Sequence, residues 1–364
     1  MQFDVIIGNP PWKEYAEVKE SYQLHGYATE SCGNLHGMTT ERAINLAGDL
    51  GRISLIVQLP LTSSSRMNTV RSMLRASSEF ISVIPFDDRP GKLFDGLEHC
   101  RSVVFTCKKH ENAKKSEVVS RYQRWPSEAR PFLFSTISFV PSLSEESSSK
   151  HFPKTGSSEA RRVIEKLMNS TNSALGIFLS SQPTDHFIFY QEATQYWVKA
   201  TVGLPFYSKN GQVGSPAHGR YLYLRDSIIT HAVSAVLNSS LFYLYFVAFG
   251  DCFHLSGSLV SNFGIPSSAL ADPRLTDLSK ELMADLKRNS VTKTITTKDK
   301  KTKTVKDTIS YAEFDARSSK SIIDKVDCVL AEHYSFTAAE LDMILNFDVK
   351  FRLGSDEEAD VDEE

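Results

Sequence analysis

Glycine-rich loops are missing from this chain of 364 residues: its 18 glycines include no Gly-x-Gly anywhere. Long apolar runs are missing as well. The longest, Leu241 to Gly250, is far short of the roughly 20 residues that a helix needs to cross a bilayer, so no membrane partner is expected. No basic-then-apolar leader precedes Asp4, and the expected location is cytoplasmic. Cysteine is scarce: the five (positions 32, 100, 107, 252 and 328) have neither disulfide-framework nor zinc spacing, so reduced thiols are expected. His99-Cys100 and Cys107 with His110 flank one strand, but not at a standard metal spacing, and no metal is expected. Nothing resembles the Pro-Asp and Glu-x-Lys pair of a metal-dependent nuclease; Glu17-Val18-Lys19 alone is noise.

A strong charge of one sign is also lacking, since the formal net charge is −3. The tail from Asp356 to Glu364 carries seven carboxylates and no base, and without it 41 basic residues face 37 acidic ones, or +4. The tail reads as a disordered, solvated end or as a competitor for a basic groove.

What is present is concentrated at the start. Phe3-Asp4-Val5-Ile6-Ile7-Gly8 is a short apolar strand that runs directly into Asn9-Pro10-Pro11-Trp12. With Pro near 5% of residues, Asn-Pro-Pro-aromatic arises by chance in roughly one chain in three hundred of this length. The plain alternative is a Pro-Pro stop after a buried strand. The chemistry that needs such a loop is amino-group methylation. An exocyclic amine on an adenine ring is a poor nucleophile, because its lone pair is delocalised into the ring. Two acceptors aimed at its protons draw the nitrogen towards a tetrahedral shape and free that pair. Asn9 can supply a side-chain oxygen, and Pro10 a carbonyl that Pro11 holds rigidly. Trp12 offers a flat face for an extruded base. Acceptors placed where positive charge develops act by electrostatic preorganisation.

Asp4 to Trp12 resembles the catalytic motif of the S-adenosylmethionine-dependent, adenine-specific DNA methyltransferases, and above all the type II restriction–modification group with a C-terminal target recognition region. Gly51 to Val57 with Leu59-Pro60 resembles that family's next strand, and Leu93-Phe94 with Arg101 to Phe105 its terminal hairpin. Leu222 to Asp226, Leu237 to Ser240 and Asn262 to Pro266 resemble its recognition region. Ser319 to Asp324, Glu340 to Asp342 and Asp348 to Gly354 are similar to its usual C-terminus. The resemblance implies S-adenosylmethionine as cofactor and a flipped adenine in double-stranded DNA as substrate. It implies Asn9, Pro10, Pro11 and Trp12 as catalytic residues, with Asn9 and Pro10 also candidates for touching the cofactor. The family's glycine loop before the catalytic strand and its ribose-binding acid have no counterpart here. A permuted loop at Ala248 to Phe253 lacks the second glycine and follows a helical pattern. A separate chain carrying the cofactor-binding half is therefore an expected partner.

Residues 3–107 alternate between strands and helices: strand 3–8, helix near 38–50, strand 52–59, helix 66–75 (Met67, Val70, Met73, Leu74), then strands 80–86 and 100–107. That is half of a doubly wound α/β sheet, with Asn9 at the carboxyl end of the first strand, where a ligand crevice belongs. Loop 13–37, with Gly26, Gly33 and Gly37, reads as a lid over a flipped base or as mobile surface. Residues 141–158 read as a Ser-rich linker, followed by a helix carrying Ala160, Val163, Ile164, Leu167 and Met168 on one face. From 175 to 270, short aromatic strands interleave Lys199, Lys209, Arg220, Tyr221, Tyr223 and Arg225. Lys199, Arg220, Tyr223 and Arg225 are the candidate DNA contacts, against an ordinary α+β surface. Lys293 to Val305 alternates at period two around Lys298-Asp299-Lys300-Lys301, which reads as an exposed basic hairpin, a phosphate contact or a solvated turn. Two C-terminal helices follow, the second opened by a capping box at Thr337 to Glu340.

The expected architecture is a partial doubly wound (Rossmann-like methyltransferase) sheet in 1–140, a linker in 141–158, an α+β target-recognition region in 159–354 and an acidic tail in 355–364. The expected activity is site-specific adenine methylation of DNA in a restriction–modification system, by a truncated or split chain. The alternatives are a non-catalytic DNA-binding or specificity fragment and a protein-glutamine or RNA methyltransferase.

Overall fold

A computed structural model describes residues 2–94, 100–110, 115–143, 150–169, 171–194, 196–298 and 305–354. The acidic tail and the tip of the basic hairpin (299–304) lie outside the described residues. The chain forms two compact units. The first spans residues up to Arg162 and takes back Val247–Asp251; the second comprises Val163–Phe246 and Cys252–Ser355.

The first unit is a six-stranded sheet of β1 (Phe3–Gly8), β2 (Ala47–Gln58), β3 (Ser78–Phe86), β4 (Ser102–Lys109), β5 (Ser116–Val119) and β6 (Val140–Pro141), in the order β1-β2-β4-β3-β5-β6. β1 runs parallel to β2, and β3 to β5; β4 is antiparallel to both β2 and β3. The β3–β4 pair is antiparallel, as a hairpin requires, but it does not end the sheet, because β5 and β6 extend it beyond β3. The rest is as a βαβ pattern dictates: α1 (Leu35–Leu46) joins β1 to β2, while α2 (Pro60–Ser63) and α3 (Asn68–Ser77) join β2 to β3. Ala43 and Ile44 of α1 and Val70 and Leu74 of α3 pack on Ile53, Leu55, Val57, Ile81, Val83, Val103 and Phe105 of the sheet. Each buried Val, Leu, Ile or Phe among them contributes about 1.5–3 kcal/mol relative to exposure.

Helix α1 ends earlier than its periodicity predicts, at Leu46 instead of 50. Ala47 is already extended and pairs with Phe3, and the register then jumps, so that Val5 pairs with Arg52. The four residues between bulge out: Leu50 has φ 65°, and a Cβ on Gly51 would meet the Gly48 carbonyl oxygen at 2.8 Å and the Phe3 carbonyl oxygen at 3.0 Å. Gly51 makes that tight bulge possible, and no helix pattern carries the information.

The stretch read as a linker is built into the first unit wherever it is described. Val140–Pro141 pairs with β5. Arg71, fully buried, donates to the Leu61 carbonyl at 2.7 Å, the Ser64 carbonyl at 2.8 Å and the Lys150 carbonyl. Phe152 N–H donates to Thr62 O (2.8 Å), and Lys154 Nζ, 1% exposed, donates to the carbonyls of Ala248 (3.1 Å) and Gly250 (2.9 Å).

In the second unit, β7 (Ser173–Ala174) pairs with β13 (Gly264–Ile265). β8 (Phe187–Tyr190), β9 (Ala200–Val202) and β12 (Arg220–Tyr223) form a three-stranded antiparallel sheet. β10 (Tyr207–Lys209), β11 (Gln212–Val213), β14 (Val291–Lys298) and β15 (Val305–Glu313) form a four-stranded one, ordered β11-β10-β15-β14. The helices are α4 (Ser158–Leu167), which enters from the first unit, α5 (Thr230–Asn238), α6 (Ser240–Phe249), α7 (Gly257–Ser261), α8 (Ser267–Leu270), α9 (Pro273–Arg288), α10 (Lys320–His333), α11 (Ala338–Leu345) and α12 (Val349–Arg352). No single helix among the described residues is long and apolar enough to cross a membrane. Asn238 joins α5 to β9, accepting from Ala200 N (3.1 Å) and donating to Ala200 O (2.7 Å). Asp327 of α10, fully buried, accepts from the Ser240 and Leu241 amides at 3.0 Å each and so caps α6. Arg352 of α12 lies 3.8 Å over the Trp197 ring and 4.7 Å over Tyr243, and donates to Ser240 Oγ at 3.1 Å. The capping box is formed as its sequence predicts.

β1 is an edge of its sheet, and its side chains are poorly covered: Val5 is 63% and Ile7 81% exposed. Beside it, an open hollow of about 340 Å³ is lined by Ile7, Gly8, Ser54, Ile56, Val104 and Phe134, and Phe134 is itself 63% exposed. An open apolar edge is a pairing template. Light scattering of the isolated chain should show concentration-dependent association that Ile7→Lys reduces, and roughly half the amides of residues 3–8 should exchange fast because only one side of the strand is bonded. A monomer with every one of those amides protected would show the edge to be covered.

Candidate active site

The Gly8–Leu55 pair is the last rung between β1 and β2. Beyond it the chain turns into Asn9-Pro10-Pro11-Trp12, so the motif stands at the carboxyl end of a parallel strand. Asn9 is exposed, and its side chain bonds no other described residue. Pro10 is buried. Trp12 is half-buried, and its indole N–H donates to the Ile56 carbonyl at 3.2 Å, on the strand that β1 has just left. An acceptor-bearing side chain is thus left free, next to a ring whose position is fixed.

The loop that follows is closed at its neck. Leu35 N–H donates to Lys13 O (2.9 Å) and Tyr15 N–H to Gly33 O (2.8 Å). Asn34 caps α1, its Oδ1 accepting from His36 N–H at 3.2 Å, while its Nδ2 donates to Gln58 Oε1 at 3.1 Å, at the end of β2. Arg66 clamps the neck from outside: its Nη2 meets Glu14 Oε2 at 2.6 Å and its Nε donates to Cys32 O at 3.1 Å. That guanidinium holds the Glu14 carboxyl below the usual range. Gly33 has φ 68°, and a Cβ there would meet Arg66 Nη2 at 2.4 Å, so the clamp requires glycine. Midway along the loop, Glu41 of α1 accepts from Ala28 N (3.1 Å), Thr29 N (2.9 Å) and Thr29 Oγ1 (2.6 Å). Burial works to raise the Glu41 carboxyl, but those bonds hold it low. Loop 13–34 is a tied flap beside the motif.

Sequence reasoning missed Glu14, Asn34, Gln58 and Arg66. The signal for Gln58 was available, since it ends the strand parallel to β1 and carboxyl ends of neighbouring strands share a crevice. The pairing of Glu14 with Arg66, 52 residues apart, had no sequence signal.

The four residues offered as DNA contacts, all in the second unit, do not form one surface. Arg220 is exposed and bonded to Glu192 (Nε–Oε1 3.0 Å). It alternates along β12 with Tyr221 and Tyr223, which face the other side. There Tyr221 and Tyr223 stack at 5.8 Å, and Phe187 lies 5.4 Å from Tyr221. Arg225 donates to the Leu179 carbonyl at 2.8 Å. Lys199 is half-buried, and burial lowers its ammonium pKa. No group of three His, Cys, Asp or Glu side chains that could hold a metal ion occurs among the described residues. His99 lies outside them; Cys107 is buried, and His110 Nδ1 meets Asp49 Oδ1 at 2.9 Å.

Residues 1–92 match the family model of the Eco57I restriction-modification methylase. No curated protein sequence matches the chain significantly. Among solved structures, the chain is similar to the type IIG restriction endonuclease BpuSI, at 12% identity and a TM-score of 0.36, over 96% of this chain and 53% of that one. It is similar to the M protein of the type I restriction enzyme EcoKI at 13% identity and a TM-score of 0.29, over 37% and 30% of the two chains. A putative class I S-adenosylmethionine-dependent methyltransferase from Listeria monocytogenes matches at 16% identity and a TM-score of 0.27, over 37% and 41%. The chain spans between 14% and 53% of the length of such structures.

His36, wholly buried beside the Glu14–Arg66 clamp, has no hydrogen-bond partner on either ring nitrogen among the described residues. Burial, helped by Arg66 and opposed by Glu14, lowers its pKa to about 4. Between about pH 4 and 6.5 the unfolded chain therefore takes up a proton that the folded chain refuses, and stability falls as the pH drops through that window. At pH 5 the loss is about 2 kcal/mol. His36→Phe, which has no nitrogens to strand, should melt higher than the parent at pH 5 and show a shallower fall between pH 8 and pH 5. His151, also held near 4 by burial, leaves a residual slope. Identical pH dependence of melting in the two proteins would refute this.

Proposed function

We propose that this chain is the catalytic and target-recognition portion of an adenine-specific DNA methyltransferase of a restriction–modification system. The observation that carries the reading is Asn9-Pro10-Pro11-Trp12 at the carboxyl end of a parallel strand, within the stretch that matches the Eco57I methylase family model. In this reading a flipped adenine stacks on Trp12, whose ring is held by Ile56. The Asn9 side-chain oxygen and the Pro10 carbonyl accept the two amino protons. Both acceptors strengthen as the nitrogen becomes positive, so they serve the transition state more than the bound base. Transfer is direct, with no covalent enzyme intermediate, and the flap 13–34 excludes water from the base.

The methyl donor of such enzymes is S-adenosylmethionine, and the residues described here do not make a site for it. The open edge of β1 has no glycine turn beside it, and no acid follows a neighbouring strand on that side. A further polypeptide that pairs along β1 would bring those parts. A second reading, a DNA-binding remnant without activity, is favoured by the same open edge.

Calorimetry separates the two. The chain alone should bind S-adenosylmethionine weakly or not at all, and micromolar binding would overturn the missing-half reading. With a complementing half, Asn9→Ala should lower methylation by roughly 10²–10³-fold or more while duplex affinity stays within about twofold. Equal loss of affinity and rate would make Asn9 a positioning residue. No methylation by the parent chain with any complementing half would leave the remnant.

A further inference from the structure

We infer that Ser268 is an activated nucleophile, a site at which this chain takes up an acyl group from an activated acyl donor; the inference is independent of the methyltransferase reading. It rests on three side chains brought together where α8, α9 and α10 meet. Ser268 is the second residue of α8, Asp272 caps the N-terminus of α9, and His333 is the last residue of α10. Ser268 Oγ lies 3.0 Å from His333 Nδ1, and His333 Nε2 lies 2.9 Å from Asp272 Oδ2. Ser268 is exposed, whereas the side chain of His333 is 15% and that of Asp272 9% exposed. An open hydroxyl against a shielded base, which is itself held by a carboxylate, is the arrangement that activates a serine. None of the three lies in the unit that carries Asn9.

The proton positions follow from the partners. Asp272 accepts from the Arg274 backbone N–H at 2.9 Å and from Arg274 Nη2 at 2.7 Å, and that guanidinium holds its carboxyl far below the usual range. An ionised carboxylate only accepts, so His333 Nε2 carries the hydrogen. In the neutral ring Nδ1 is then bare and accepts from the Ser268 hydroxyl. His333 stands at the carbonyl end of a 14-residue helix, which favours the imidazolium that forms when the ring takes a proton. In the reaction, Ser268 Oγ bonds to the acyl carbon as its proton passes to Nδ1. The bond from that carbon to the leaving oxygen or sulfur breaks, and Nδ1 returns the proton to the leaving atom. Asp272 stays ionised throughout and keeps the ring in the tautomer that can take the serine proton. Ser268 stands at the surface, so the donor has to bring its own good leaving group, which selects activated esters and thioesters over amides. A purely structural tie among three helices would use the same bonds, but it would give Ser268 no reactivity above that of other serines.

The test treats the full chain with p-nitrophenyl acetate and maps the acetyl groups by peptide mass spectrometry. Ser268 should be acetylated about 10²-fold faster than other exposed serines, and unfolding in urea should erase the difference. His333→Gln, which keeps a hydrogen-bond donor but no base, should bring Ser268 down to the rate of those serines while circular dichroism shows the chain still folded. Asp272→Asn preserves a good helix cap, but its amide group can donate to Nε2 and move the ring hydrogen to Nδ1, so it should slow acetylation as well. Ser267→Ala, one residue away on the same helix, should change nothing at Ser268. Acetylation of Ser268 no faster than that of other exposed serines in the unaltered chain would overturn the inference and leave the structural tie. Acetylation at the parental rate in folded His333→Gln would overturn it equally.

Discussion

The parallel register of β1 on β2 is the constraint on which the candidate site depends. It brings the strand that delivers Asn9 alongside the strand that ends in Gln58. Little else holds β1: of its apolar side chains only Ile6 packs against the core, and the other edge makes no bond within the sheet. A strand with one neighbour and one packed side chain would ordinarily fray. The bonds just past it answer that weakness. Trp12 takes the Ile56 carbonyl, Lys13 and Tyr15 close the neck on Leu35 and Gly33, and Arg66 holds Glu14. The same contacts that anchor the strand aim the motif, so stability and geometry at this site are one problem.

Much of that first unit was legible in the sequence because its signals are local. An apolar run into Asn-Pro-Pro, a 3.6-residue spacing through Val70 and Leu74, and a hairpin before Phe105 each specify an element within about a dozen residues. The capping box at Thr337 is legible for the same reason, since its two bonds join residues three apart. What could not be read is whatever closes over distance. The early end of α1 comes from a bulge fitted against Phe3. The insertion of β4 between β2 and β3 depends on sheet order, which periodicity does not encode. Ser-rich composition suggested a linker at 141–158, yet Phe152 and Lys154 are buried, because a strand, an arginine and two helix ends elsewhere accept them.

The DNA candidates show a different limit. Arg220 and Tyr223 are near neighbours in sequence, and both are chemically apt, yet strand alternation sends them to opposite faces. Composition pointed to a region without choosing a surface. Choosing one requires knowing which charges are already satisfied: Arg220 is engaged by Glu192, and Lys199 is half-buried, with Glu313 and Asp315 acting on its ammonium.

The second unit owes its cohesion to buried polar groups as much as to apolar ones. Asp327 caps α6, and Arg352 stacks between Trp197 and Tyr243 and reaches Ser240, so the last short helix is tied to the middle of the unit. Leaving a buried polar group without its partner typically costs about 1–3 kcal/mol, and more for a charged one. The two units thus meet opposite demands. The second unit is closed by its own side chains. Among the described residues the first unit leaves the Asn9 side chain and one whole strand edge without hydrogen-bond partners, so both stay open to further bonding.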